Sequence, residues 1–94
     1  MQILLIEDNL TIIKGLTYTL KQNNYEVYAC KNLLEAISYL KDNPQINLII
    51  LDVTLPDGNG FTFFTDNLKA LNIPTIFLTA KDEEDDIVRG LEIG

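Results

Sequence analysis

The sequence contains no histidine and only one cysteine, Cys30, among its 94 residues. Without histidine, zinc sites of the usual kind and Ser-His or Cys-His nucleophilic pairs are excluded. Cys30 alone can neither close an internal disulfide nor build a metal site. Its place at the end of an apolar run favours a small buried thiol. Acid-based chemistry with a hard cation remains open.

Basic residues are scarce as well, with 7 Lys and Arg against 14 Asp and Glu and a net charge of −7. This balance argues against a chain that grips a nucleic-acid backbone by itself. No apolar run approaches the roughly 20 residues of a membrane span. Met1–Ile6 leads directly into two acids, which excludes a signal peptide. We therefore expect a cytoplasmic protein that forms one domain over residues 1–94.

The stretch that organises the chain is Leu48–Gly60, which reads L-I-I-L-D-V-T-L-P-D-G-N-G. Its short, isoleucine-rich apolar run, closed by proline and glycine, predicts a central parallel strand that is covered on both faces. Asp52 ends this strand. The carboxyl ends of such strands form the crevice in which open α/β sheets bind ligands, so Asp52 is placed for chemistry.

Three other apolar runs and four helical patterns surround this strand. The further predicted strands are Gln2–Ile6, Tyr25–Cys30 and Thr75–Leu78. A first helix is predicted from Leu10 to about Gln22, with Asp8 or Asn9 as its N-cap. The later helices are predicted from apolar positions at helical spacing, namely Leu33, Ala36, Ile37 and Leu40; then Phe61, Phe64, Leu68 and Leu71; and, after the acidic block 82–86, Ile87, Val88 and Leu91.

Strands that alternate with helices imply a parallel sheet. Glu7, Asp8, Asp52 and Thr79 would then meet at one carboxyl edge. Carboxylates about 4 Å apart repel by roughly 4 kcal/mol per pair at an effective dielectric of about 20, so this cluster needs a cation or shifted pKa values. Mg²⁺ suits such a donor set, and it would leave Asp52 as a nucleophile toward phosphorus.

With these motifs in this order, the chain resembles the response-regulator receiver domains of bacterial two-component signalling. The run L-T-A-K at 78–81 resembles the winged-helix transcription-factor subgroup. The resemblance implies that Mg²⁺ is held by Glu7, Asp8, Asp52 and the backbone carbonyl of Thr54. It also implies that Asp52 accepts a phosphoryl group from a histidine kinase, and that Thr79 and Ala80 then contact this group.

The same resemblance implies a flavodoxin-like, doubly wound sheet with strand order 2-1-3-4. Receiver domains continue with a fifth strand and helix, which carry an aromatic switch residue and a phosphate-binding lysine. Since this chain stops at Gly94, we expect an incomplete receiver without an output domain, through which DNA would be bound. We also expect the apolar fourth strand to be an open edge and to promote self-association. The domain would not be an enzyme in the usual sense, although it would assist its own phosphorylation and dephosphorylation.

The back of the first helix carries a second hypothesis. Thr11, Gly15 and Tyr18, with Ile12 at the border, lie opposite its predicted core stripe, and similar domains dock the kinase there. A lone exposed tyrosine on a surface helix explains the pattern equally well.

Two other functional classes remain as alternatives. One is a phosphohydrolase of the haloacid-dehalogenase kind, although Thr54 stands where its signature requires a second aspartate. The other is a receiver-like interaction module that works without phosphorylation. That class would lack the acceptor or the acidic pair, and this chain has both.

Overall fold

A five-stranded sheet with helices on both faces forms the centre of the computed structural model, which describes residues 1–78 and 88–92. In chain order the strands are β1 (Gln2–Ile6), β2 (Glu26–Cys30), β3 (Leu48–Asp52), the two-residue strands β4 (Thr54–Leu55) and β5 (Gly58–Asn59), β6 (Thr75–Leu78) and β7 (Val88–Glu92). The helices are α1 (Leu10–Gln22), α2 (Leu33–Asp42) and α3 (Gly60–Phe63). A π-helical turn (Phe64–Leu68) and a 3₁₀ turn (Lys69–Leu71) extend α3.

The predicted parallel sheet is confirmed. Its strands lie in the order β2-β1-β3-β6, and each neighbouring pair among these four is parallel. Leu5 pairs with Ala29 on one side and with Ile50 on the other. In this register Ile6 lies beside Leu51, so the residues that follow β1 emerge next to the end of β3.

The apolar strands are buried on both faces because alternate side chains point in opposite directions. Leu4 and Ile6 join the core beneath α2 and α3, whereas Ile3 and Leu5 contact the predicted stripe of α1. That stripe consists of Ile13, Leu16 and Leu20. This two-sided burial explains why the strands read as continuous apolar runs rather than as alternating ones. Cys30 is a free, buried thiol in the first of these cores.

Asparagine side chains begin the first two helices. Asn9 caps α1 by accepting a hydrogen bond from the Ile12 amide at 3.1 Å. Asn32 caps α2 in the same way, with the Glu35 amide at 2.8 Å. Of the two residues proposed as the cap of α1, it is thus Asn9 that caps, and Asp8 is available for another role. Within the described part of the chain, no helix has the length and apolar composition of a membrane span.

The third helical segment departs from the predicted single stripe. Phe64 and Leu68 are buried as expected, but Phe61 and Leu71 are 39% and 49% exposed, and Phe63 is buried instead. Leu71 follows the π-helical turn, whose wider hydrogen bonding shifts the faces of the helix beyond it. Phe61 still packs its ring on Phe77, with ring centroids 4.7 Å apart.

The tail also differs from its prediction. Val88–Glu92, which includes two of the apolar positions assigned to a fourth helix, is the strand β7 and pairs antiparallel with β6. Gly90 lowers helix propensity by about 1 kcal/mol, and β6 offers backbone groups that pairing satisfies. Pairing with β7 covers the edge of β6, which removes the reason for expecting self-association through an exposed fourth strand. Residues 79–87, including the acidic block, lie outside the described part of the chain.

Candidate functional site

Carboxylates gather at the carboxyl edge of the sheet, where β1 and β3 end side by side. Glu7, Asp8 and Asp52 each offer an oxygen atom, and these oxygens lie within 4.8 Å of one another. Glu7 and Asp52 are both only 3% exposed, whereas Asp8 is exposed. The structure therefore brings together the three acids that the sequence places at strand ends.

Backbone hydrogen bonds fix the two buried acids at this edge. The Glu7 amide donates to the Cys30 carbonyl at 2.9 Å, which continues the pairing of β1 with β2 by one residue. On the other side of the site, the Val53 amide donates to the Leu78 carbonyl at 2.9 Å. The pairing of β1 with β2 and of β3 with β6 thus continues one residue beyond the ends of these strands. The backbone at Glu7 and Asp52 therefore has little freedom to move the two carboxylates apart.

Burial makes this cluster electrostatically unfavourable when no cation is bound. Desolvation, with the nearby charges of Asp52 and Asp8, raises the pKa of Glu7 to about 7. Desolvation is also the largest cause of the raised pKa of Asp52, followed among the raising causes by the charge of Asp8. A protonated Glu7 can donate a hydrogen bond to the Asp52 carboxylate, and this bond favours the charged form of Asp52.

Among the residues that the structure describes, few donors offset this charge. The Asn9 amide donates to Glu7 Oε2 at 3.0 Å, and the Thr54 amide lies 3.4 Å from Asp52 Oδ1. These backbone amides lower the two pKa values without cancelling the effect of burial. Three crowded carboxylate oxygens fit a small hard cation such as Mg²⁺, which takes oxygen ligands and retains several waters. The donor set, in which burial raises the pKa values of Glu7 and Asp52, therefore suits a divalent cation.

A hairpin directly after Asp52 brings Thr54 to the site. Thr54 pairs with Asn59 and Leu55 with Gly58, so that β4 and β5 form a short antiparallel ladder. The Gly60 amide closes the base of the hairpin by donating to the Val53 carbonyl at 2.6 Å. A Cβ atom at Gly60 would collide with the backbone carbonyl oxygen of Asp52. Only glycine allows α3 to begin this close to the end of β3.

Asp57, at the tip of the hairpin, has a contact that sequence analysis missed. Its carboxylate accepts hydrogen bonds from the Leu33 amide at 2.9 Å and from the Leu34 amide at 3.1 Å, both at the N-terminus of α2. These two amides hold the pKa of Asp57 below its usual value. In the sequence, P-D-G is simply a turn pattern. Since Leu33 lies 24 positions away, no local signal could have revealed the contact.

The remaining predicted site residues divide into two groups. Thr79 and Ala80 lie outside the described residues, directly after β6, whose last residue Leu78 pairs with Asp52. The proposed docking residues on α1 all lie at the surface: Thr11, Ile12, Gly15 and Tyr18. Tyr18 is 68% exposed and Ile12 is 37% exposed, so both side chains are accessible to a partner.

The sheet order, the acidic edge and the loop after Asp52 define a receiver-type fold, and comparison with known proteins agrees. A family model described as "Response regulator receiver domain" matches residues 3–94. The chain therefore belongs to the response-regulator receiver domain family.

Among curated proteins, the chain is similar to two transcriptional regulators. It is 37% identical over 97 residues to the phosphate regulon transcriptional regulatory protein PhoB of Escherichia coli. It is 34% identical over 93 residues to the transcriptional regulatory protein CpxR homolog of Haemophilus influenzae. Each alignment covers 99% of this chain but only 42% and 40% of the respective relative. The chain thus spans less than half the length of these relatives.

Solved structures of receiver domains have the same fold. The chain is similar to the non-phosphorylated HemR receiver domain from Leptospira biflexa, with 37% identity and a TM-score of 0.75 over 85% of this chain and 64% of that one. The BeF3-activated receiver domain of RstA from Klebsiella pneumoniae gives a TM-score of 0.79 at 21% identity, covering 90% of this chain and 72% of that one. At that identity the likeness concerns the fold alone.

Proposed function

We propose that this receiver domain accepts a phosphoryl group on Asp52 from a phosphohistidine of a sensor histidine kinase. The observation that carries the proposal is the buried carboxylate of Asp52, which lies within 4.8 Å of the Glu7 and Asp8 oxygens at the carboxyl edge of the sheet. A buried aspartate beside other acids that favour a cation is suited to form an acyl phosphate.

In the proposed transfer, an Asp52 oxygen attacks phosphorus while the phosphorus–nitrogen bond of the phosphohistidine breaks. The imidazole leaves as a neutral ring after it takes a proton. Glu7, Asp8, Asp52 and the Thr54 carbonyl would hold Mg²⁺, which supplies neutralisation of the phosphoryl charge. The hydroxyl of Thr79 and the backbone of Ala80 would then contact the phosphoryl oxygens. The domain would thereby assist its own phosphorylation and dephosphorylation.

The phosphorylated domain would regulate transcription in the cytoplasm through a DNA-binding output domain. The names of the two curated relatives, both transcriptional regulatory proteins, support this proposal. The added group carries about −1.5 to −2 charges, which is enough to bias a two-state element at this edge. The alternative, an interaction module that needs no phosphorylation, is less well supported because the acceptor and the acidic pair are both present and adjacent.

We further propose that the kinase docks on the surface formed by Thr11, Ile12, Gly15 and Tyr18. These residues follow the site directly on α1 and are exposed. Exchange of Ile12 and Tyr18 for glutamate should slow transfer from the cognate kinase while leaving phosphorylation by a small acyl phosphate unchanged. An unchanged rate of transfer from the kinase would refute this surface.

The acceptor is tested by intact mass after incubation of the 94-residue chain with Mg²⁺ and a small acyl phosphate. We expect one added phosphoryl group in the wild type and none in Asp52→Asn. Asp66→Asn is the matched control, since Asp66 is an exposed aspartate on the third helical segment, and it should be phosphorylated like the wild type. Labelling of Asp52→Asn would overturn the assignment, and a lack of labelling in every variant would favour the phosphorylation-independent module.

A further inference from the structure

Asp57 joins the hairpin that follows β3 to the start of α2, two parts of the chain that are distant in sequence. It lies in the turn between the two strands of the β4–β5 hairpin. Its carboxylate accepts hydrogen bonds from the backbone amides of Leu33 and Leu34, the first two residues of α2. Asn32 caps the same helix end through the Glu35 amide. The N-terminus of α2 thus has one acceptor from its own preceding residue and a second from a distant loop.

The hairpin is fixed at both of its ends as a result. At the base, the hydrogen bond of 2.6 Å between Gly60 and Val53 ties the loop to the start of α3. At the tip, Asp57 ties the loop to α2, and Gly58 lies so close to Leu33 that an added Cβ would be 2.8 Å from Leu33 Cδ1. A two-residue ladder alone is too short to be rigid in water, so these ties, together with the buried side chain of Leu55, determine where the hairpin lies.

The position of the hairpin matters for the site because Thr54 belongs to it. The Thr54 amide lies 3.4 Å from Asp52 Oδ1, a weak contact that a small shift of the loop would remove. The Thr54 carbonyl belongs to the same strand of the hairpin and is the only proposed metal ligand that the hairpin carries.

We infer that Asp57 is a positioning residue, which holds Thr54 in place for the metal by anchoring the tip of the hairpin to α2. This inference rests on the proposed Mg²⁺ site. Asp57 touches neither the metal nor the phosphoryl group, and it acts only through the hairpin. Residues that orient a metal ligand by a direct hydrogen bond commonly contribute a factor of ten or more to metal affinity, and we expect the lower end of that range for an anchor that acts through the hairpin.

The test compares Asp57→Ala with Asn32→Ala in the 94-residue chain. Each variant removes one side chain that accepts amides from the start of α2, so both should lower the unfolding temperature. Only Asp57→Ala releases the hairpin. We expect its Mg²⁺ affinity, followed by the amide resonance of Thr54, to fall by about 10-fold, while the affinity of Asn32→Ala stays at the wild-type value. Without metal, hydrogen exchange in the hairpin should be faster in Asp57→Ala alone.

Asp57→Asn supplies the conservative variant, because its amide oxygen can still accept one of the two bonds. Its Mg²⁺ affinity should lie between those of the wild type and Asp57→Ala, and it carries the test if Asp57→Ala does not fold. Equal Mg²⁺ affinity of the Asp57 and Asn32 variants would overturn the positioning role alone. A wild-type chain that binds no Mg²⁺ would overturn the metal site and the positioning role together.

Discussion

Asp52 and Asp57 lie five positions apart in one loop region, yet their surroundings shift their pKa values in opposite directions. Asp52 is buried beside two other acids, and desolvation raises its pKa. Asp57 is exposed and accepts two backbone amides, which lower its pKa. Identical side chains differ here because one is surrounded by charge of its own sign and the other is matched by donors.

The difference separates two uses of a carboxylate. The protein itself satisfies Asp57, so this residue can hold structure without any ligand. The described residues leave the charge of the acidic edge largely uncompensated, and this leaves free energy for binding a cation. We therefore regard incomplete compensation at a sheet edge as the better indicator of a functional acid, and complete compensation as the sign of a structural one.

The largest effect on stability is expected from a substitution of Gly60. This residue closes the base of the hairpin that carries Asp57 and lies against the backbone of Asp52. Gly60→Ala would place a Cβ against the Asp52 carbonyl oxygen and 3.1 Å from Val53 Cα. Because backbone atoms cannot move aside cheaply, we expect the free energy of unfolding to fall by about 3 kcal/mol. Chemical denaturation would measure it.

Gly15→Ala is the matched control for this change. Gly15 lies within α1, and apart from its chain neighbours and the backbone of its own helix, no atom of the described residues would lie within 4 Å of its added Cβ. Because alanine is the better helix former, this variant should be more stable by about 0.5 to 1 kcal/mol. Equal effects at the two glycines would show that close approach at Gly60 does not hold the loop after Asp52.

A smaller effect on the free energy of unfolding is expected from a change of pH, and it tests the buried Glu7 directly. The pKa of Glu7 is raised from 4.5 to about 7 in the folded chain. The folded state therefore binds more protons than the unfolded state between these values, and stability must fall as pH rises. Without metal, we expect a loss of about 2 kcal/mol between pH 5 and 8, measured by denaturation at each pH.

Glu7→Gln provides the control for this pH dependence. The amide cannot titrate, so most of the loss between pH 5 and 8 should disappear. Saturating Mg²⁺ should also oppose the loss in the wild type, since the cation favours the deprotonated acids. A wild-type profile that is flat over this range, or that rises with pH, would contradict the uncompensated charge at the sheet edge. For Asp57 the pH dependence of stability has the opposite sign, because its pKa is lowered in the folded chain. Its stabilising contribution is lost only as pH falls through that lowered pKa.

Most of the fold and the acidic site could be predicted from local patterns. The apolar runs before Glu7 and Asp52 indicate strands from local sequence alone. Parallel pairing then brings the ends of these strands together whatever the details of packing. Helix faces were less predictable. The π-helical turn that follows α3 shifts the side chains beyond it, and Leu71 is exposed although the spacing placed it on the buried stripe.

The tail was the clearest failure. The apolar spacing of Ile87, Val88 and Leu91 fits a helix, but periodicity in a short segment with a glycine is a weak signal. An open strand edge presents unpaired backbone N–H and C=O groups, and this edge exists only once the sheet has folded. Val88–Glu92 pairs with β6 and supplies hydrogen-bond partners for these groups.

By itself, the sequence determined the chemistry and the order of the parts: apolar strands, acids at their ends, and a glycine-rich turn after Asp52. These features depend on residue types and short spacings, which a linear chain specifies. Tertiary structure alone decided the pairing of β7 with β6, the raised pKa of Glu7 and the contact of Asp57 with α2. Each of these depends on burial or on partners distant in sequence, and such terms arise only once the sheet has formed.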